Sequence, residues 1–142
     1  MLSENAQRFI HLYQNLNKDN LSLLKDIYHP DIHFTDPLHS INGLDALTAY
    51  FTKLYSNVSE VSFVIEDSME HAECVGIYWN MQFSHPALRK GLPITVCGHS
   101  RLKFKNDVVI FHQDYFDTNN MLFEHVPLLG RLIRMLKRRA SQ

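Results

Sequence analysis

The spacing of apolar residues changes once along this chain, near residue 58, and that change limits the folds open to it. Before it, Phe9, Ile10, Tyr13 and Leu16 recur at i, i+3, i+4, i+7, the stripe of an amphipathic helix, with Ser3 placed to cap it. Leu47, Tyr50, Phe51 and Leu54 give a second stripe over about 44–56, opened by the Asn42-Gly43 turn. A short helix over 21–28 lies between them, capped by Asn20 and stopped by Pro30, because the residue before a proline is pushed out of the helical region. After residue 58 the period is two. Four runs, 58–70, 72–84, 94–104 and 108–117, alternate as strands, separated by hairpin-compatible turns. An earlier segment, DIHFTDP, also alternates, with Ile32, Phe34 and Asp36 on one side. Helices followed by long adjacent antiparallel strands predict an α+β domain built on one curved sheet.

The 142 residues fit a single domain, 1–142, that buries roughly 70% of its unfolded surface. All 15 acidic residues lie at or before Glu124, against nine basic ones, so that part carries a net charge of −6. The other five cations, Arg131, Arg134, Lys137, Arg138 and Arg139, sit on a predicted basic amphipathic helix at about 121–139, bent near Pro127. Its leucines are expected to cover the domain, in preference to contacting a membrane surface. An acidic body without a recognition motif argues against nucleic acid. The N-terminal segment lacks the long apolar run of a signal peptide or membrane span, so a cytoplasmic protein is expected. Cys74 and Cys97 stand outside any metal-binding pattern and read as small core residues.

Chemistry concentrates in IFHQDYFD, residues 110–117. With a strand period, Ile110, His112, Asp114 and Phe116 share one face, and Val109, Phe111 and Tyr115 the other. A carboxylate inside a largely covered strand is costly unless partnered. Two readings follow for Asp114: a His112/Asp114 polar cluster satisfied by Asn80, Gln82 or water, or a group that contacts a ligand. Asp36 likewise has two readings, since Asp-Pro favours a turn whose backbone amides the aspartate accepts. His29, His33 and His39 do not make a metal site with Asp36, because strand parity puts His33 on the opposite side.

The element order, with IYHPDIHFTDP and HQDYFD, resembles the nuclear transport factor two-like superfamily, which includes SnoaL-like polyketide cyclases, ketosteroid isomerases and limonene epoxide hydrolases. The resemblance spans nearly the whole chain. It implies a cystatin-like cone, N-terminal helices packed on one strongly curved, mainly antiparallel sheet around an apolar pocket. By that resemblance Asp36 matches the isomerase general base, while Phe9 and Gly98 stand where the isomerase has its two oxyanion donors. Tyr13, one turn from Phe9, is the substitute phenol. Asp114 matches an epoxide hydrolase carboxylate, whose arginine and aspartate partners fall near Asn80 and Gln82. The pocket is therefore expected to use Asp36 and Asp114 as acid/base groups, with Phe34, Asn80, Gln82, His112 and Tyr13 binding an apolar small molecule that has a polar group. No cofactor or metal is implied. A homodimer through the outer sheet face, using Val109, Phe111 and Tyr115, is the expected assembly. A noncatalytic ligand-binding or dimerisation module is the alternative.

Overall fold

A computed structural model describes residues 1–142. Helix α1 (Glu4–Gln14) starts where Ser3 accepts a hydrogen bond from the Ala6 amide, and it buries Ala6, Phe9 and Tyr13. The next segment is a tight 3-10 helix, Leu21–Asp26; Asn20 does not cap it, because its side-chain oxygen takes the Asn17 amide. Strand β1 (Tyr28–Thr35) runs through Pro30, which is tolerated where β1 bulges between Tyr28 and His33. A short β2 (Ser40–Asn42) turns at Gly43 into α2 (Leu44–Asn57). The long strands are β3 (Glu60–His71), β4 (Cys74–Ser84), β5 (Ile94–Lys105) and β6 (Val108–Phe116).

They form one six-stranded sheet in the order β2-β1-β6-β5-β4-β3. All neighbours are antiparallel except β1 and β6. The sheet is curved and unclosed, and α1, the 3-10 helix and α2 pack on its concave face. The main core lies between these layers and holds Phe9, Leu24, Ile32, Phe34, Leu47, Phe51, Val75, Ile77 and Leu102.

Two departures from simple alternation matter. On β6, Ile110 is an extra residue: Lys103 pairs with Phe111 while Phe104 pairs with Val109. That bulge turns Val109 inward to complete burial, so it is absent from the outer face to which alternation assigns it. On the outer face of β5, Cys97 is exposed, and Cys74 is half-buried, so neither is a core residue.

The C-terminal expectation is also corrected. A four-residue α3 (Thr118–Met121) and a turn at Phe123–His125 precede α4 (Pro127–Ala140), which begins on its proline. This helix packs substantially only on the 123–125 turn, leaving its leucines exposed, and does not cover the domain. The cause is local. A Cβ at Gly130 would overlap the Glu124 carbonyl, Arg134 donates to that same carbonyl, and Lys137 pairs with the Glu124 carboxylate. These contacts draw the polar side of α4 toward the chain and turn its apolar side away. No helix is long and apolar enough to cross a membrane.

Two outcomes follow from the packing. Gly98 faces Trp79 across β4 and β5, and a Cβ there would overlap the benzo ring of the indole. Gly98→Ala is expected to lower stability by about 1–3 kcal/mol in chemical denaturation and to alter the emission of Trp79. Burial pushes up the phenols of Tyr13, Tyr28 and Tyr50, and that of Tyr55 to about 12. The unfolded chain ionises these groups near their ordinary value of about 10, whereas the folded chain holds their protons. Stability is therefore full below about pH 10 and falls as pH rises further, read as a declining melting temperature. Tyr55→Phe should flatten the decline between about pH 10 and 12.

Candidate functional site

The concave face and the helices enclose a cavity of about 430 Å³, within the usual range for small-molecule sites. Of its 21 lining residues 17 are hydrophobic, and nine of these are aromatic. The polar lining is sparse: Asp36, Asn57, His85 and Asp114. Helix α1 contributes Tyr13, β1 contributes Phe34, and α2 contributes Tyr50, Phe51, Leu54 and Tyr55. Trp79, Met81 and Phe83 line it from β4, and Met121 and Leu122 from the C-terminal end of the sheet domain.

Asp114 is the centre of the polar arrangement. Its Oδ1 accepts from Ser100 Oγ at 2.5 Å and from His112 Nε2 at 2.6 Å. Behind these donors stand two more: Trp79 Nε1 donates to Ser100 Oγ at 2.8 Å, and Tyr28 Oη lies 2.7 Å from His112 Nδ1. An ionised carboxylate only accepts, so the 2.6 Å contact puts a proton on His112 Nε2. In the neutral ring Nδ1 then accepts from the Tyr28 hydroxyl. Every donor is thus directed toward one oxygen. The second oxygen, Oδ2, has no protein partner, and the side chain is 10% exposed beside the cavity. His112 is fully buried, ringed by Phe9, Tyr13, Tyr28 and Phe34, and positions Asp114 from behind.

Asp36 lines the same cavity but is saturated. Its Oδ1 accepts from the Leu38 and His39 amides, both at 2.7 Å, and from the His39 ring at 3.2 Å. Its Oδ2 accepts from Tyr50 Oη at 2.8 Å. The turn reading and the pocket reading of Asp36 are therefore both true of its position, with little acceptor capacity left over.

The tyrosines divide in the same way. Tyr28 and Tyr50 have their hydroxyls engaged. Tyr13 and Tyr55 line the cavity without a protein hydrogen bond. Burial is the main cause that pushes the Tyr13 phenol well above its ordinary value, and the negative charge of Asp114 adds to it. Tyr13 therefore remains a neutral O–H donor throughout the physiological range.

The structure brings together Tyr13, Phe34, Asp36, His112 and Asp114, and it removes Asn80 and Gln82. Strand β4 turns Val75, Ile77 and Trp79 inward, so the alternate residues face outward. Asn80 donates to Glu66 on that outer side, and Gln82 is exposed. The partners of Asp114 are instead Ser100 and, through it, Trp79. Sequence reasoning missed both roles, although one signal was available. The hairpin turn at Asn106-Asp107, with φ of 52° and 69°, sets the β5/β6 register, and one bulge step brings Ser100 opposite Asp114. No three His, Cys, Asp or Glu side chains converge as a metal site.

The model of the SnoaL-like domain family matches residues 7–112. No curated protein matches the chain. Among solved structures, an NTF2-like protein of unknown function from Burkholderia pseudomallei K96243 is similar with a TM-score of 0.75 at 19% identity, covering 85% of this chain and 96% of that one. A candidate SnoaL-like polyketide cyclase from Shewanella putrefaciens CN-32 gives 0.72 at 20% identity, over 85% and 95%. AclR, a candidate hydroxylase from Streptomyces galilaeus, gives 0.71 at 14% identity, over 92% and 98%. At these identities the likenesses show a common fold, the cone of helices on a curved sheet. With the family match spanning most of its length, the chain belongs to the SnoaL-like domain family.

Proposed function

We propose that the cavity binds a flat, apolar compound carrying a carbonyl or hydroxyl, and that Asp114 moves a proton on it, as an isomerase, cyclase or hydrolase does. The observation that carries this reading is the asymmetry of Asp114. One oxygen is held by two donors that are themselves held, and the other faces an aromatic cavity without a protein partner. A general base needs both fixed geometry and a free lone pair. In the simplest version, Oδ2 takes a proton from a carbon next to a ketone. The C–H electron pair forms a C=C bond, and negative charge moves to the carbonyl oxygen. Tyr13 donates a hydrogen bond to that oxygen, and the proton returns from Asp114 to another carbon of the same conjugated system. Product and substrate then differ only in the position of one hydrogen and one double bond. Asp36, with its acceptors occupied, holds Tyr50 in the cavity wall. The descriptions of the structural neighbours as candidate cyclase and hydroxylase favour a polyketide-like ring system.

A noncatalytic binding module is the second reading, favoured by the two positions that the resemblance matches to oxyanion donors. Phe9 is buried in the core and Gly98 lies under Trp79, so neither isomerase donor position carries a donor. The two readings separate by experiment. Trp79 is the sole tryptophan and lines the cavity, so its fluorescence reports occupancy during a screen of aromatic and cyclic ketones. For any ligand found, deuterium exchange at its acidic carbons is followed by NMR. Asp114→Asn is expected to retain binding within a few fold and to lose exchange by on the order of 10² or more. Exchange that is unchanged in Asp114→Asn leaves the binding module as the correct reading.

We also propose a homodimer through the outer sheet face. Val64, Met69, Tyr78 and Tyr115 are 61%, 53%, 41% and 47% exposed there. Tyr78, His99 and Tyr115 form a stack across three strands, with ring centroids 4.5 and 5.9 Å apart. Light scattering is expected to report a dimer of the 16.6 kDa chain, and Tyr115→Glu a monomer. A monomeric wild type at micromolar concentration would remove this assignment.

A further inference from the structure

Helix α4 carries an apolar stripe that no part of the fold uses. Leu128, Leu129, Leu132, Met135 and Leu136 are between 39% and 79% exposed. At 100° per residue they occupy one continuous arc, while Arg131, Arg134, Lys137 and Arg138 occupy the opposite one. The helix contains no acidic residue, since all 15 lie at or before Glu124. Of its five cations only Lys137 has a carboxylate partner. With 14 residues it is about 21 Å long, too short to span a bilayer but long enough to lie along one.

We propose that α4 docks in the surface of an anionic bilayer. The leucines and Met135 enter the boundary of the acyl chains, and Arg131 and Arg138, which flank the stripe, meet the headgroup phosphates. Two observations select this occupant. The first is charge. The part of the chain before α4 carries a net −6 and is repelled by an anionic surface, while α4 carries five cations and no acidic residue. Attraction is thus confined to the element that also bears the apolar stripe. The second concerns a further copy of the chain as occupant. The outer sheet face of such a copy presents Arg101 and Lys103 over Phe111, like charges that oppose the arginines of α4 around that ring, whereas Glu66 on the same face would attract them. Phosphate headgroups above acyl chains match both sides of the helix along its whole length.

Flotation of the full chain with vesicles of phosphatidylcholine, with and without phosphatidylglycerol, tests the proposal. Binding is expected only to the anionic vesicles and to weaken as salt is raised. Arg131→Gln with Arg138→Gln is expected to lower the affinity by on the order of tenfold or more. Leu132→Glu with Leu136→Glu should abolish binding, and Leu128→Glu, at the most exposed of these positions, serves as a second variant. Because these side chains are exposed, melting temperatures should match the wild type, which separates lost docking from lost folding. Absence of flotation with anionic vesicles overturns the proposal. So does equal binding to neutral vesicles, or unaltered binding by the arginine variant. An oligomer that dissociates in the Leu132→Glu, Leu136→Glu variant, without any vesicle binding by the wild type, would assign the stripe to contact between copies.

Discussion

Four strands converge on one carboxylate oxygen. Tyr28 comes from β1, Trp79 from β4, Ser100 from β5, and His112 with Asp114 itself from β6. A carboxylate in a largely apolar cavity is tolerated only where charge-assisted hydrogen bonds replace its lost water, and here each donor is in turn held by a neighbour. The arrangement is demanding in both directions. It fixes the register of β5 against β6, because Ser100 reaches Asp114 only in the bulged pairing. It also fixes the orientation of the His112 ring, which no solvent reaches. Polar groups placed this way specify one packing of the sheet, since another register leaves them buried without partners.

The same network explains the chemistry of the cavity wall. Trp79 serves twice, its indole N–H holding Ser100 and its ring forming apolar wall. The ring needs the space above residue 98, and only glycine leaves it. An acidic side chain at that position, as in the isomerases that the chain resembles, is therefore incompatible with the tryptophan that supports Asp114. Asp36 shows the reverse relation. It occupies the position matched to the isomerase base, yet two backbone amides and Tyr50 hold its oxygens, so structure has taken the residue that resemblance assigns to catalysis. Of the two cavity carboxylates, only Asp114 keeps an oxygen without a protein partner.

Most of the architecture was legible because periodicity is a strong signal over long elements. The helices carrying Phe9 and Tyr13, or Leu47 and Phe51, and the four long strands lie close to where spacing puts them. The site was legible only in part, because parity holds within a strand but not between strands. Phe34 and Asp36 follow from alternation along β1, and His112 and Asp114 from alternation along β6. Asn80 and Gln82 failed because the facing of β4 against β6 depends on register, which turns and bulges decide. Val109 failed for a related reason, one extra residue at Ile110. The tail failed differently. Its leucine pattern is that of a covering helix, and the contact that turns it away rests on Gly130 approaching the Glu124 carbonyl, which hydrophobic spacing does not encode.

That tail and the cavity are neighbours in the chain. Met121 and Leu122 line the cavity, and only residues 123–126 separate them from α4. Glu124, within this link, holds α4 through its carbonyl and its carboxylate. The geometry of the helix is therefore set by the same few residues that follow the cavity rim. A short link with both ends fixed transmits position better than a flexible one, because few backbone torsions are free to absorb a displacement. Whatever surface α4 engages, only residues 123–126 separate the helix from the cavity rim. The separation of charge reinforces this arrangement, since an acidic domain attached to a basic helix has one preferred side toward an anionic surface.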